Sequence, residues 1–178
     1  MTDSNVKANL SRRRLLQAAV IIPAAAVPTL AVASPAHAGY LDPISRSSVM
    51  ARARNWYDRD IQYEISGKAS DMDGTHLYWR NCAGFVAMAW HSHAPGPSIP
   101  LLAQIAPKIK WGHLRPGDIV NSIDESHCML YHKRGGTGYV WMYDLANPSY
   151  DMRHARHSVA SLKARGYQPR RYPKIRNG

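Results

Sequence analysis

Three side chains of this 178-residue chain could perform acyl chemistry together: Cys82, His127 and Asp144. Cys82 opens the apolar run Cys82-Ala83-Gly84-Phe85-Val86-Ala87-Met88-Ala89-Trp90, which reads as a buried helix. The first turn of a helix carries unpaired N–H groups and a partial positive charge. Both stabilise a thiolate and make cysteine a usable nucleophile near neutral pH. Gly84 lets another backbone or a substrate approach closely. His127 and Asp144 lie on either side of Arg134-Gly135-Gly136-Thr137, which joins two runs of β-formers. With Gly135 and Gly136 as the two central turn residues, paired positions add to 271 and His127 faces Asp144. Directly opposed residues share a face, so imidazole and carboxylate stand as a base and its orienting group. Alternation sends Cys128 to the opposite face, as an apolar core filler. Asn147, the rival third residue, faces Asp124 in this count, past the histidine.

The elements that must position these residues are legible in outline. Ser45 to Asp58 repeats apolar residues at helical spacing (Val49, Ala53, Trp56, Tyr57), with Ser45, Ser47 or Ser48 as the cap. Ser66 to Thr75 reads as a loop rich in Gly, Asp and Ser. The helix from Cys82 ends at His91-Ser92-His93-Ala94-Pro95-Gly96-Pro97. Strands follow at Ile119-Val120, Cys128 to Tyr131 and Tyr139 to Tyr143, with a last one expected between Tyr167 and Ile175. Helices packed on a central antiparallel sheet make an α+β domain.

The amino terminus sets the compartment. Arg12-Arg13-Arg14, an apolar stretch to about Ala33, and Ala36-His37-Ala38 before Gly39 form a secretory leader with a cleavage site. Consecutive arginines ahead of the apolar stretch favour the twin-arginine route. Pro23 and Pro28 break the run short of the ~20 residues a membrane span needs, so no stable membrane insertion is expected. Residues 1–38 are thus read as the signal peptide and 39–178 as one catalytic domain. Cargo of that route folds in the reducing cytoplasm, so the two cysteines are expected as free thiols with different jobs. Of 23 basic and 12 acidic residues, the leader holds Lys7, Arg12, Arg13, Arg14 and Asp3, which leaves 19 against 11, or +8. Such a charge calls for an anionic partner. No nucleic-acid motif is present, and with an export signal a cell-wall polymer fits best. A monomer without cofactor is expected.

Asn81-Cys82-Ala83-Gly84-Phe85-Val86, Leu114-Arg115-Pro116-Gly117-Asp118-Ile119 and Ser126-His127-Cys128-Met129-Leu130-Tyr131 resemble, in order, three motifs of the NlpC/P60 family. Those are papain-like cysteine peptidases that cut peptidoglycan stem peptides, and the likeness runs from about Ser47 to Ile175. It implies a papain-like fold with N-terminal helices on the sheet, Cys82 as nucleophile, His127 as base and Asp144 as third residue. It places Tyr63 at the oxyanion site and Asn81 and Ala83 at substrate-binding positions. The family usually carries Asp-Cys-Ser-Gly, and here Asn81 and Ala83 replace the Asp and Ser. An amidase or acyl transferase using the same thiol, and a catalytically silent wall-binding module, therefore stay open beside a stem-peptide endopeptidase. His91-x-His93 and His154-x-x-His157 lack a second ligand pair at zinc spacing, and Asp71-Met72-Asp73-Gly74 lacks the downstream Glu of a calcium loop. No metal is assigned, and the latter is read as a solvated loop.

Overall fold

A computed structural model describes residues 39–177; the leader, with its arginines and cleavage site, lies outside the described residues. Ser45 caps α1 (Arg46–Asp58): its hydroxyl accepts the Ser48 N–H at 3.0 Å. The buried face of α1 is Val49, Arg52, Ala53 and Trp56, one stripe of a 3.6-residue period. Tyr57, expected with the apolar stripe, is 40% exposed. α2 (Cys82–Ala89) is buried on every side, as a helix apolar all round must be. Trp90 follows it, donating its indole N–H to the Gly117 carbonyl at 2.8 Å and stacking on Tyr172 at 4.8 Å. Among the described residues no helix is long and apolar enough to cross a membrane.

The central sheet is antiparallel throughout. Its strands are β4 (Ile119–Ser122), β5 (His127–Arg134), β6 (Tyr139–Asn147), β7 (Tyr150–Ser158) and β8 (Gln168–Arg170), in the order β7-β6-β5-β4-β8. One face (Ile119, Cys128, Leu130, Tyr143, Leu145) shares a core with α1 and α2. The other (Val120, Met129, Tyr131, Val140, Met142) forms a second core with Leu162 of α4 (Val159–Ala164) and with Tyr167. Two small pairings flank this sheet: β1 (Ile44–Ser45) runs parallel to β9 (Ile175–Arg176), and β2 (Glu64–Ser70) pairs with β3 (Leu77–Arg80). A short helix, α3 (Ile99–Ile105), follows α2. The α+β class and the central antiparallel sheet are as expected.

Four expectations need correction. Ser66 to Ser70 is not loop but most of β2; both its faces are largely exposed, so it carries no apolar alternation to reveal it. Asp71, read as solvated, is 1% exposed and paired to Arg52 at 3.2 Å, which pins the β2–β3 turn to α1. The last strand is two pieces: Pro169 is tolerated because β8 is an edge, and the chain turns through Pro173 before β9.

The fourth correction is the β5–β6 hairpin. Its loop is Gly135–Gly138, with Gly136 and Gly138 at φ 99° and 73°. Val159 of α4 donates its N–H to Gly138 O at 2.9 Å, and that tertiary contact fixes the longer loop. Arg134 pairs with Val140, so positions add to 274 beside the turn. A bulge between Tyr131 and Lys133 restores 273, with Tyr131 opposite Met142 and Leu130 opposite Tyr143. His127 is therefore not directly opposite Asp144. The displacement from 271 is two residues, however, and an even shift keeps both on the same face. Continued, the register sets Asp144 opposite Met129, diagonally adjacent to His127. Without the bulge at His132, the two would point to opposite faces.

Candidate active site

The N-terminus of α2 meets the beginning of β5. Asn81 caps the helix, its Oδ1 accepting the Gly84 N–H at 2.9 Å, and this sets Cys82 as the first helical residue. Gly84 is required by backbone approach: a Cβ there would overlap the Trp79 carbonyl. Cys82 reaches a cleft of about 290 Å³ that Tyr63, His127, Asp144 and Arg153 also line. Asn81 and Ala83 are not among the lining residues; Ala83 is packed in the core.

His127 Nε2 lies 2.7 Å from Asp144 Oδ1. With Nε2 so engaged, Nδ1 is the nitrogen left to serve the Cys82 sulfur. The other carboxylate oxygen, Oδ2, accepts Arg153 Nε at 2.9 Å and Nη2 at 2.6 Å. Asp144 is fully buried, yet both oxygens are satisfied by charged donors, which offsets desolvation. Burial pushes its carboxyl up, but His127 and Arg153 outweigh that and hold it below the usual range.

The Cys82 thiol is pulled down to about 5, first by the hydrogen-bonded Cys128 thiol, then, against its own burial, by the His127 ring. His127 is opposed by burial but carried up to about 9 by Asp144 and by Cys82. At neutral pH the resting site is thus a thiolate–imidazolium pair. Burial, and next the Cys82 charge, push the Tyr63 hydroxyl up, so it stays a hydrogen-bond donor. Asp151 on β7 holds the Tyr63 backbone N–H at 2.8 Å.

Of the residues singled out in the sequence, Tyr63, Cys82, His127 and Asp144 converge. Asn147 reaches the cleft wall, but its Oδ1 accepts the Ser149 N–H at 2.9 Å in the β6–β7 turn. Two residues at the cleft are not legible in the sequence as belonging there. Arg153 pairs with Asp144 across β6–β7, and β7 was not read as a strand because its charged residues (Asp151, Arg153, Arg156) look like a solvated segment. His157 lines the cleft with a buried Nε2 that has no partner. Cys128 is buried in the core as expected, in the same cluster as Cys82. Both cysteines are free, as expected.

Iodoacetamide should alkylate Cys82 in the native protein at a rate that persists down to about pH 5. Cys128, fully buried and held well above the usual thiol range by burial and by the Cys82 charge, should react only after denaturation. Peptide mass mapping reads this directly; equal labelling of both in native protein would contradict the assignment.

The other groups able to bind a metal lie elsewhere. Asp71, His76 and His91 bring donor atoms within 4.8 Å of one another. The carboxylate there is already neutralised by Arg52, its Oδ1 accepts the Thr75 and His76 N–H groups, and His76 stacks on Tyr40 at 3.8 Å. His154 pairs with His132 at 2.9 Å, not with His157.

Neither a family model nor a curated relative matches the sequence. Among solved structures the chain is similar to the peptidoglycan hydrolase RipB from Mycobacterium tuberculosis, at 14% identity and a TM-score of 0.46. The match covers 74% of this chain and 65% of that one, so the chain spans just under two thirds of RipB's length.

Proposed function

We propose that this protein is an exported cysteine peptidase of the NlpC/P60 type, hydrolysing amide bonds in peptidoglycan stem peptides. The observation that carries the reading is the convergence of Cys82, His127 and Asp144 on one cleft, with the thiol pulled down to about 5 and the imidazole carried up to about 9. The order and spacing of the three sequence motifs supply the substrate class. In this mechanism the Cys82 thiolate attacks the scissile carbonyl. The developing oxyanion is held by the Cys82 backbone N–H and the Tyr63 hydroxyl. His127 Nδ1 protonates the leaving amine, and the neutral imidazole then takes a proton from the water that hydrolyses the acyl-enzyme. Asp144, fixed by Arg153, keeps the ring oriented and stabilises its protonated form. The +8 charge outside the leader suits an anionic wall polymer, and the leader delivers the protein there by the twin-arginine route.

Digestion of purified peptidoglycan followed by fragment masses tests this. New amine and carboxyl ends at a peptide bond are expected. Products joined to an added amine would assign acyl transfer, and no product at all would leave a wall-binding module. For the hydrolase, kcat/KM should be level between about pH 5 and pH 9. Below about 5 the thiolate gains a proton and the nucleophile is lost; above about 9 His127 loses the proton it must donate. Each limb should fall about tenfold per pH unit. A rate that instead climbs through about pH 8.5, as for an unassisted thiol, would rule out the preformed pair.

A further inference from the structure

At the end of α2 away from Cys82, His91 meets two residues of the β2–β3 turn, Asp71 and His76. Asp71 Oδ2 lies 3.5 Å from His76 Nδ1 and 3.9 Å from His91 Nε2. One donor atom from each of the three residues falls within 4.8 Å of the others. Four-coordinate zinc, with bonds of about 2.0–2.1 Å, spaces its ligands about 3.3 Å apart. Small side-chain rotations therefore close this set on one ion. We infer that Asp71 Oδ2, His76 Nδ1 and His91 Nε2 form a binding site for a divalent transition ion of the zinc type. Two imidazoles and one carboxylate are ligands that suit such an ion. The second ligands that His91-x-His93 lacks in sequence come from the β2–β3 turn.

The surroundings fit an ion. Asp71 and His91 are buried, while His76 is partly exposed and opens the site to solvent. Asp71 Oδ1 accepts the Thr75 and His76 N–H groups at 2.9 and 3.3 Å, which orients the carboxylate with Oδ2 toward the rings. Arg52 lies 3.2 Å from Oδ2, but its shorter contact, 2.7 Å, goes to Asp73. Two carboxylates thus share one guanidinium, and the cluster keeps a negative charge for the ion. The Thr75 hydroxyl, 2.9 Å from His76 Nδ1, yields that nitrogen when the ion binds. Arg52 alone would pin the turn and gives no reason for two imidazoles. His91 also holds φ 52° just past α2, where glycine or asparagine is the usual residue. A buried ring is kept there at a conformational cost. The bound ion ties the β2–β3 turn to α2 and braces the helix that presents Cys82 at its other end.

This site stands apart from the catalytic reading, and its test needs no substrate. Untagged Cys82→Ala protein, which lacks the cleft thiolate as a rival ligand, would be stripped with a chelator and titrated calorimetrically with zinc chloride. One zinc per chain is expected, with a melting temperature raised by about 5 °C or more at a hundredfold excess over Kd. Two further variants would be made in that background. His76→Phe keeps a ring to stack on Tyr40 and removes the nitrogen. His91→Asn suits the positive φ. Each should weaken zinc binding by about 100-fold or more and erase the thermal shift. Absence of binding to the Cys82→Ala protein at millimolar zinc overturns the proposal. So does undiminished binding in either folded variant, which places the ion elsewhere. X-ray absorption at the zinc edge decides without those variants, should neither fold: two imidazole ligands are expected, and fewer than two overturn the site.

Discussion

Cys82→Ala should abolish turnover of peptidoglycan, by about 10⁴-fold or more, while leaving the fold and wall binding in place. The size follows from the role: no neighbouring side chain replaces the sulfur as nucleophile, because His127 and Asp144 are engaged with each other. The retained fold follows from the packing. Cys82 is small, opens α2 with its side chain toward the cleft, and the cap that fixes the helix is on Asn81. Fragment masses from digested wall should match the buffer control, and co-sedimentation with insoluble wall should equal wild type. That pairing separates lost chemistry from lost binding. Activity within tenfold of wild type would show that the thiol is not the nucleophile and would overturn the peptidase reading and its transferase and amidase variants together.

Why some of this was legible and some not comes down to which interactions are local. Cys82 could be read because a helix apolar on all sides leaves no ambiguity about burial, and its first residue is where a thiolate gains most. The β-forming runs of β5 and β6 were equally plain. Their register was not, because Gly135, Gly136 and Gly138 all permit positive φ and only the contact from Val159 selects the longer loop. The bulge at His132 has no sequence signal at all, yet it decides which face His127 occupies. The His127–Asp144 partnership was thus expected correctly from a pairing that is two residues off. Arg153 is hidden for a different reason: it belongs to an edge strand whose polarity gives no apolar pattern to read.

Asp144→Ala should lower kcat by about 10²- to 10⁴-fold, less than loss of the nucleophile, because the thiol and the oxyanion donors remain. Its pH signature is more specific than its size. The carboxylate favours the imidazolium, so removing it lowers the His127 pKa, and the alkaline limb should retreat from about 9 toward the ordinary histidine value. A less protonated His127 stabilises the thiolate less, so the acid limb should climb from about 5. The plateau should narrow from both ends. Truncation also leaves Arg153 without the partner it holds at 2.6 and 2.9 Å, and breaking such a pair costs stability, so Asp144→Asn should be measured beside it. The amide keeps the volume and loses the charge, and it should narrow the profile in the same sense. Asn147→Ala should leave most activity, since its side chain serves the β6–β7 turn through Ser149 and not the imidazole. If Asn147→Ala proves crippling while Asp144→Ala and Asp144→Asn keep the wild-type plateau, the imidazole is oriented from the turn and the diagonal pairing across β5 and β6 is not the catalytic one.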